Sequence, residues 1–574
     1  MSSTQQTPQS RRLPGPARPP ADHPPNDGRR TATWMFMNWT RWRVRTWMAV
    51  AGLTLGALAA AAPAVSASTL GGQAAASGSG PVVGTTNGPV RGLANGAVDE
   101  FLGIPYAAPP VGALRWQPPQ PGASWSGVRD ATRFASHCPQ PATQFGQASM
   151  SEDCLYLNVF TPSHQQAGSH FPVMVWIHGG GLVTGESNDF DPAPLVADGA
   201  TVVTINYRLG ALGFLAHPAL ADANGQSGDY GLMDQQAALR WVQRNIASFG
   251  GDPHDVTIFG ESAGGLAVLS QVTSPQARGL FEKAIVESGS YNLTQPSLSS
   301  AETAGKAFAA SAGCASQTAA CLRSLPVSTI LADQNGYTPN INSEVLPETL
   351  GTAFATGNFN RVPIINGTNR DEWRTFVAFD ELFGNPITAA NYQSMISSTL
   401  SGYFAAPVPA AEAAIIAAQY PLTKYPSPSI ALGAVGTDAI LACPALTIDQ
   451  SVSRFVPTFA YEFNDENAPE VYLPPVSFPY GAAHGSEVQY LMDLPTVAYP
   501  QALSAPQQQL AATMQGYWTN FANSGSPTSS GTPLWPLFNA LTQQMQSLAP
   551  PAPQTETDFA STHNCAFWAA LPAA

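Results

Sequence analysis

The sequence predicts an α/β fold in which a largely parallel central sheet carries helices on both faces. Short apolar runs of strand length alternate with helical stretches such as residues 233–247, and this alternation is typical of parallel sheets. The runs are residues 173–177, 201–206, 256–259, 283–286, 362–365 and 457–463. After residue 80 the sequence has no long linker, no repeat and no change of composition. Residues 81–574 are therefore predicted to form a single domain.

The first 67 residues are predicted to be a leader and not part of this domain. Residues 1–33 are rich in Pro, Arg and small polar residues, a composition typical of disordered chain. Three arginines within residues 41–45 then precede an apolar, alanine-rich segment that runs over residues 47–65. A basic cluster followed by an apolar stretch is the pattern of a secretory signal peptide.

The end of the apolar segment predicts where the leader is removed. Residues 65–67 (VSA) provide the small side chains of a cleavage site, so we expect cleavage near Ala67. Residues 68–80 are then a linker to the domain. Two alternatives stay open: translation starts at Met35 or Met37, or the leader remains as an anchor. Ala and Gly make the anchor less favourable because each contributes little hydrophobicity.

The charge of the predicted mature chain argues against two classes of partner. The whole chain has a formal net charge of −14. Residues 1–67 contain eight Arg and two Asp, so the remainder carries −20. A strongly acidic surface repels phosphate groups. We therefore expect no nucleic-acid partner and no stable association with membranes after signal cleavage.

A strand, a glycine-flanked serine and a helix start follow one another within residues 256–268. The run VTIF is followed by GESAGG, and Leu266 and Val268 then begin a helical pattern. A sharp strand-to-helix turn leaves little room beside the serine, which favours glycine on both sides. The turn lifts the serine hydroxyl above the sheet, and the N–H groups of the helix start point toward developing negative charge. Ser262 is therefore the candidate nucleophile.

A second predicted strand ends in a glycine-rich loop. Residues 172–177 form a continuous apolar run, as in a strand buried on both faces, and HGGG follows at residues 178–181. Consecutive glycines let backbone N–H groups face a ligand without obstruction. Acyl transfer needs such donors for its tetrahedral oxyanion. Because a candidate nucleophile is present, we interpret this loop as an oxyanion hole and not as a merely flexible segment.

The base and the acid that orients it are expected after the serine, in the chain order that α/β-hydrolases use. Only His484 and His563 follow the serine. His484 lies in a loop of small residues, whereas His563 is close to the C-terminus, so elimination favours His484. The acid is expected just beyond the strand at residues 362–365, since active-site residues collect at the carboxyl ends of parallel strands. Asp371 and Glu372 both lie there, and physical reasoning leaves them nearly equal.

Two long segments resemble signatures of the type-B carboxylesterase/lipase family, which includes the cholinesterase-like α/β-hydrolases. Residues 249–264 resemble its serine signature, and residues 152–162 (EDCLYLNVFTP) resemble a second one. Shorter similar segments are FLGIPY at 101–106, WTNF at 518–521 and LWP at 534–536. The resemblance runs from about residue 80 to the C-terminus, and in character it is closest to bacterial p-nitrobenzyl-type carboxylesterases. It implies an α/β-hydrolase fold with a mostly parallel central sheet and large helical insertions.

The resemblance assigns roles to the candidate residues. It implies that Glu372 is the acid of a catalytic triad and that His484 is its base. It also implies that the backbone N–H groups of Gly180, Gly181 and Ala263 form the oxyanion hole. No cofactor is implied.

The resemblance also concerns residues around the triad. It places Ser288 and Glu487 beside the histidine. Trp373 follows the acid where the family usually has Gly, and Leu182 follows the third glycine of the loop where it usually has Phe. We expect Trp373 to change how the acid is held and Leu182 to change the substrate pocket.

The cysteines predict an oxidising environment. Six cysteines allow fifteen pairings, which sequence alone cannot separate. Short spacing favours two pairs, which also resemble disulfide loops of the family, and the third follows by default; the pairs are Cys138–Cys154, Cys314–Cys321 and Cys443–Cys565. No Cys-x₂-Cys spacing suggests a zinc site, and we expect no metal. Disulfides indicate an oxidising compartment.

These observations predict a secreted, monomeric serine carboxylesterase that acts on small-molecule esters. The loop between Cys138 and Cys154 holds fifteen residues and one aromatic, Phe145. In cholinesterase-like relatives a longer loop carries an aromatic residue for a cation, and in related lipases it is a long apolar lid. The short loop therefore favours short- to medium-chain esters over choline esters or lipid droplets. The alternatives are a lipase acting on longer acyl esters and a non-catalytic, cholinesterase-like binding protein.

Overall fold

The computed structural model describes residues 80–163, 168–404 and 407–571. The predicted leader and all but the last residue of the predicted linker lie outside the described residues. Within them, strands and helices alternate along the chain as the sequence predicts.

The strands of the described residues form two sheets. In chain order they are β1 (Val82–Thr85), β2 (Gly88–Arg91), β3 (Leu93–Asn95), β4 (Val98–Pro105), β5 (Arg129–Asp130), β6 (Tyr156–Pro162), β7 (Phe171–Ile177), β8 (Thr201–Ile205), β9 (Gly251–Glu261), β10 (Lys283–Glu287), β11 (Ile364–Asn369), β12 (Thr458–Phe463), β13 (Met545–Leu548) and β14 (Gln554–Glu556). Strands β1, β2 and β5 form a small separate sheet.

The central sheet has the strand order β14-β13-β12-β11-β10-β9-β7-β8-β6-β4-β3. From β13 to β8 every neighbouring pair is parallel. The pairs at both edges are antiparallel. The carboxyl ends of the parallel strands therefore share one edge of the sheet, where the sequence predicts the site.

From β7 to β13, at least one helix lies between each pair of consecutive strands. In chain order the helices are α1 (Ala193–Ala197), α2 (Gly210–Phe214), α3 (Tyr230–Asn245), α4 (Ala263–Thr273), α5 (Leu298–Ser311), α6 (Ala319–Arg323), α7 (Val327–Leu331), α8 (Leu350–Thr356), α9 (Arg374–Leu382), α10 (Tyr392–Ser401), α11 (Ala410–Gln419), α12 (Pro428–Gly436), α13 (Cys443–Val452), α14 (Ala505–Ser524), α15 (Phe559–Thr562) and α16 (Cys565–Ala570). Helices α5–α8 separate β10 from β11, and α9–α13 separate β11 from β12, as the expected large insertions.

Strand β7 explains why the predicted strands are continuous apolar runs. Its residues Val173, Val175 and Ile177 belong to one hydrophobic core cluster. The alternate residues Met174 and Trp176 belong to a second cluster. Because successive side chains of a strand point to opposite faces, both faces of the sheet are buried, and no polar alternation is left in the sequence.

One continuous helical segment among the described residues, Pro428–Val452, is long and apolar enough to cross a membrane. It combines α12, a π-helical turn (Thr437–Ala442) and α13. In the fold, 83% of its apolar window is buried. Its composition is therefore that of a core helix.

The structure contains the three expected disulfides, with Cα–Cα separations of 4.9, 5.7 and 5.3 Å. The pairs Cys138–Cys154 and Cys314–Cys321 close short loops. Cys443–Cys565 joins the starts of α13 and α16, which lie 122 residues apart in the sequence. This last bond ties the C-terminal helices to the second insertion.

Candidate active site

Ser262 lies at the sharp turn between β9 and α4. Its backbone has φ 57° and ψ −123°, a conformation that residues other than glycine rarely adopt. A Cβ added at Gly264 would lie 1.9 Å from the carbonyl oxygen of Ile177, and one added at Gly260 would lie 2.5 Å from the same atom. The close approach of this turn to the end of β7 therefore requires glycine at both positions, as the sequence predicts.

Hydrogen bonds join Ser262, His484 and Glu372, which follow the carboxyl ends of β9, β12 and β11. His484 Nε2 lies 2.7 Å from Ser262 Oγ, and His484 Nδ1 lies 2.5 Å from Glu372 Oε2. The other carboxylate oxygen of Glu372 accepts hydrogen bonds from the Thr368 hydroxyl (2.7 Å) and the Asn369 backbone N–H (2.8 Å). The Glu372 carboxylate is thus held at both oxygens, and its orientation fixes that of the imidazole.

The neighbouring acid, Asp371, has different partners. It forms ion pairs with Arg370 at 2.9 Å and Arg374 at 2.8 Å. It also accepts a hydrogen bond from the backbone N–H of Ala482 at 3.0 Å. Asp371 therefore anchors the loop that carries the histidine, while Glu372 contacts the imidazole itself.

The other histidine after the serine, His563, lies in a separate buried cluster. Its Nδ1 is 2.7 Å from Asp438 Oδ1, and its Nε2 is 2.5 Å from Glu462 Oε1. Burial alone would lower the pKa of His563, but the two carboxylates raise it to about 10. His563 is therefore a buried cation that holds the C-terminal segment against β12, and His484 is the histidine bonded to the serine.

Three carboxylates surround His484. Besides Glu372, Glu261 Oε1 lies 3.2 Å from His484 Nε2, and Glu487 is fully buried nearby. Burial alone would lower the pKa of His484, but the charges of Glu261 and Glu372, the Glu372 hydrogen bond and the charge of Glu487 raise it to about 9. These negative charges favour the imidazolium form, which a general base becomes when it takes a proton.

The three carboxylates around His484 differ in how readily they keep their own negative charge. Burial alone would raise the pKa of Glu372, but the charge and hydrogen bond of His484 and the N–H of Asn369 lower it. Burial raises the pKa of both Glu261 and Glu487, and repulsion from Glu372 adds to the effect. Glu372 therefore keeps its negative charge most readily, because it has the strongest compensating partners.

The glycine loop lies directly beside the serine. A Cβ added at Gly179 would lie 3.1 Å from the Cβ of Ser262. Gly180 and Gly181 have φ 92° and 63°, the left-handed region that glycine enters without strain. The carbonyl of Gly180 accepts the N–H groups of Val183 and Thr184 at 3.1 and 3.0 Å, which closes a tight turn.

Ala263 lies at the start of the helix that packs against this loop. It is the first residue of α4, where backbone N–H groups have no partner within the helix. A Cβ added at Gly264 would lie 2.9 Å from the carbonyl carbon of His178, so the helix start packs against the loop. The structure thus brings the three expected oxyanion donors, Gly180, Gly181 and Ala263, into one region around the serine.

Ser288 and Glu487 lie beside the triad, where the resemblance places them. Ser288 has φ 49°, and its hydroxyl lies 3.5 Å from Glu487 Oε1. Ser288 also helps to lower the pKa of Glu372. The Asn369 side chain donates to Glu487 and to the Ala483 carbonyl. Together these bonds connect the loops after β10, β11 and β12.

Two residues of this region were not identified from the sequence. Glu261 stands inside the serine motif, and its position next to the nucleophile could have indicated it. Asn369 ends β11 three residues before the acid, just beyond the apolar run at residues 362–365.

Trp373 packs the turn that carries the acid against the end of α12 in the second insertion. Its ring lies against the backbone of Gly436, where an added Cβ would be 2.0 Å away, and its backbone N–H donates to Thr437 Oγ1 at 2.9 Å. It also stacks on Phe376 at 4.3 Å, and Phe376 lies 5.2 Å from the His484 ring. The absence of a side chain at Gly436 thus leaves room for the Trp373 ring. Trp373 also supports the imidazole of His484 through Phe376.

Leu182 has φ 62° and a side chain buried in the first core cluster. Its carbonyl accepts the backbone N–H of Gly210 at 2.7 Å. Its effect on the substrate pocket stays a prediction.

The site has a serine on a strained strand-to-helix turn of a mostly parallel sheet, and hydrogen bonds connect this serine through a histidine to a buried carboxylate. This arrangement defines the protein as a serine hydrolase of the α/β-hydrolase class. Comparison with known proteins narrows this class. A model of the Carboxylesterase family matches residues 79–568. The chain therefore belongs to the carboxylesterase family.

Individual relatives agree with this assignment over most of the chain. An acylcarnitine hydrolase from Mus musculus is 36% identical over 481 residues, covering 79% of this chain and 84% of the relative. A cocaine esterase from Homo sapiens is 36% identical over 511 residues, covering 83% and 88%. A pyrethroid hydrolase from Mus musculus is also 36% identical. The predicted family, fold class and activity as a carboxylic ester hydrolase are confirmed.

Proposed function

We propose that the protein hydrolyses esters through an acyl-enzyme on Ser262. The observation that carries this proposal is the hydrogen-bonded chain from the serine through His484 to the buried Glu372. In the mechanism, Ser262 Oγ attacks the ester carbonyl while His484 takes its proton. Glu372 holds the imidazole tautomer and stabilises the imidazolium. His484 then protonates the departing alcohol, and water repeats the sequence on the acyl-enzyme.

The backbone N–H groups of Gly180, Gly181 and Ala263 are the proposed donors to the tetrahedral oxyanion. Positive φ angles in the loop and the open start of α4 support this role. Donors that are already in place need no reorganisation as charge develops on the oxygen, so they stabilise the transition state efficiently.

The proposed substrates are short- to medium-chain esters of small molecules. The loop closed by Cys138–Cys154 is short, and its aromatic residue Phe145 packs 5.3 Å from Tyr472 and 6.2 Å from Phe379. This aromatic ring is therefore already engaged with other rings. The names of the relatives refer to cocaine, pyrethroids and acylcarnitine, which are small molecules.

Hydrolysis of p-nitrophenyl esters from acetate to palmitate tests this proposal. We expect the highest rates between acetate and octanoate. A maximum at laurate or longer chains, with a rate increase above the solubility limit of a triglyceride, would favour the lipase. Absence of turnover in the wild type would favour the non-catalytic binding protein.

We further propose that the protein is a secreted monomer without stable membrane association. The three disulfides support folding in an oxidising compartment. Expression of the full chain with a C-terminal tag tests this proposal. Recovery from the medium of a monomer that begins near residue 68 is the expected result, and retention in the membrane fraction would contradict it.

The pH dependence of hydrolysis is expected to reflect the carboxylates around His484. Only the neutral imidazole accepts the serine proton, and the pKa of His484 is raised to about 9. The acidic limb of kcat/KM, which reports the free enzyme, therefore lies above the ordinary histidine value of about 6.5. Glu261→Gln removes a neighbouring charge that favours imidazolium, so this limb should move to lower pH. Profiles of kcat/KM for p-nitrophenyl butyrate measure the shift.

A matched control for the pH profile is Glu466→Gln. Glu466 is an exposed partner of Arg370, away from the imidazole, so its loss should leave the limb in place. An unchanged limb in Glu261→Gln, or an equal shift in both variants, would contradict the electrostatic explanation.

A further inference from the structure

The loop closed by Cys138–Cys154 lies directly against the segment that continues the glycine loop. A Cβ added at Gly146, within the disulfide loop, would lie 2.9 Å from the backbone nitrogen of Gly185 and 3.0 Å from Thr184 Oγ1. The contact leaves no room for a side chain at residue 146. The disulfide loop therefore packs closely on residues 184 and 185.

Gln140 joins these two segments by three hydrogen bonds. Its Oε1 accepts the hydroxyl of Thr184 at 2.6 Å and the backbone N–H of Gly185 at 2.7 Å, and its Nε2 donates to the Gly185 carbonyl at 3.1 Å. The side-chain amide thus pairs with both polar backbone groups of Gly185, as a residue of a neighbouring strand would. Because Gln140 is 1% exposed and Gly185 is also buried, loss of the amide would leave buried polar groups without these partners.

Thr184 and Gly185 in turn form the inner side of the turn that carries the proposed oxyanion donors. The Thr184 N–H donates to the Gly180 carbonyl at 3.0 Å, and a Cβ added at Gly180 would lie 2.2 Å from the Thr184 carbonyl oxygen. A Cβ added at Gly185 would lie 2.7 Å from the Gly179 carbonyl oxygen, so the backbone of Gly185 packs on that carbonyl. Two successive carbonyls of the glycine loop are therefore held by residues that Gln140 binds.

Each of these carbonyls shares a peptide group with a proposed oxyanion donor. The Gly179 carbonyl and the Gly180 N–H belong to one peptide plane, and the Gly180 carbonyl and the Gly181 N–H belong to the next. Because a trans peptide is planar, a contact that holds the carbonyl also fixes the direction of the N–H on its opposite side. The contacts of residues 184 and 185 therefore set the directions of both N–H groups.

We propose that Gln140 is a positioning residue that orients the oxyanion donors of the glycine loop. It acts through Thr184 and Gly185, whose contacts hold the peptide groups of that loop. The inference rests on the proposed function, because it requires the N–H groups of Gly180 and Gly181 to be oxyanion donors. It gives the short disulfide loop a role in stabilising the transition state, in addition to its proposed effect on substrate size.

Gln140→Met tests this role, because methionine has a similar length and no amide. We expect kcat for p-nitrophenyl butyrate to fall by about tenfold to a hundredfold, as for a small misplacement of reacting groups. The loss is smaller than the 10²–10³ typical of a missing oxyanion donor, since the N–H groups are still present. KM should change little, because acylation and deacylation both pass through an oxyanion. Steady-state assays measure both constants.

Inhibition by a trifluoromethyl ketone with an alkyl chain measures the oxyanion contacts separately. Ser262 Oγ adds to the carbonyl carbon of the ketone while His484 takes the serine proton, and the carbonyl oxygen becomes an oxyanion as in the transition state. The matching trifluoromethyl alcohol has no carbonyl and cannot form this adduct. Gln140→Met should weaken inhibition by the ketone by about the same factor as the loss in kcat, and it should leave inhibition by the alcohol unchanged. A general disturbance of the pocket would weaken both inhibitors.

Gln236→Met is the matched control for the loss of a buried glutamine amide. Gln236 is fully buried in α3, and its Nε2 donates to Gln271 Oε1 at 3.0 Å and to Ser274 Oγ at 3.1 Å, at the far end of α4 from the nucleophile. Its replacement should lower the melting temperature. Its kcat and its inhibition by the ketone should stay close to those of the wild type.

Thr184→Val provides a second test that does not depend on the folding of Gln140→Met. Valine keeps the shape of threonine and removes only the hydroxyl that donates to Gln140 at 2.6 Å. We expect the same separation between ketone and alcohol, with a smaller loss for the ketone because the Gly185 pairing remains.

The outcomes distinguish this inference from the proposed function. A wild-type protein that neither hydrolyses the ester nor forms an adduct with the ketone on Ser262, as seen by mass spectrometry, would overturn both. If the wild type does both, three results in the folded variants would overturn only the role of Gln140: unchanged kcat, a change confined to KM, or equal losses for ketone and alcohol. A parallel loss of kcat and of ketone inhibition, with the alcohol unaffected, would support it.

Discussion

Replacing Ser262 with alanine should lower kcat for p-nitrophenyl butyrate by a factor on the order of 10⁶. The variant loses the only atom that forms the acyl bond in the proposed mechanism, while the glycine loop and the helix start remain. These donors should leave a residual rate above that of the uncatalysed reaction. Steady-state assays at high enzyme concentration, with active sites titrated by a phosphonate, measure the decrease.

A suitable control is Ser270→Ala. Ser270 lies in α4 two turns beyond the nucleophile, and its hydroxyl donates to the Leu266 carbonyl at 2.8 Å within the same helix. This variant should keep kcat close to wild type. Near-normal hydrolysis by Ser262→Ala would refute the assignment of the nucleophile, and phosphonylation of another residue would identify the correct one.

The second large effect is expected for Glu372→Gln, with a decrease in kcat of about 10⁴. Glutamine keeps the size of the side chain but removes its charge, so the imidazolium loses its counter-charge. The amide also offers an N–H where His484 Nδ1–H needs an acceptor, which favours the wrong tautomer. The acylation rate should therefore fall strongly, while substrate binding changes little.

Asp371→Asn is the matched control, because the two acids are adjacent and sequence reasoning leaves them nearly equal. Asp371 bonds Arg370, Arg374 and the N–H of Ala482. Its loss should lower the melting temperature through the loop it anchors and reduce kcat by less than about tenfold, as expected for a residue that acts through positioning. A greater loss of kcat in Asp371→Asn than in Glu372→Gln would reverse the assignment.

Most of the central fold was predictable because its signals are local. The strands β7 to β12 are short apolar runs separated by helical stretches, and each run is visible without knowledge of its neighbours. Strands β3 and β14 at the edges of the sheet, and β13 beside β14, have only three or four residues each. Such short segments gain their hydrogen bonds from pairing, and their sequence shows no distinct periodicity. They were therefore missed.

The sequence by itself determined the elements whose geometry depends on adjacent residues. Glycines at 260 and 264 specify the turn that carries Ser262, and the HGGG segment specifies the loop beside it, because backbone conformation is set locally. His484 was identified by elimination, a consequence of chain order. The tertiary structure decided what depends on distant residues meeting: it placed Glu372 instead of Asp371 against the imidazole.

The same distinction applies to the Cys443–Cys565 bond and to the carboxylate of Glu261. The two cysteines are 122 residues apart in the sequence, and their pairing followed only by default until the fold brought them together. Glu261 is adjacent to the serine, yet its effect on the pKa of His484 arises from a contact across 223 residues of chain. Local sequence specifies which conformations a segment adopts, whereas long-range packing determines which side chains meet and in what electrostatic environment.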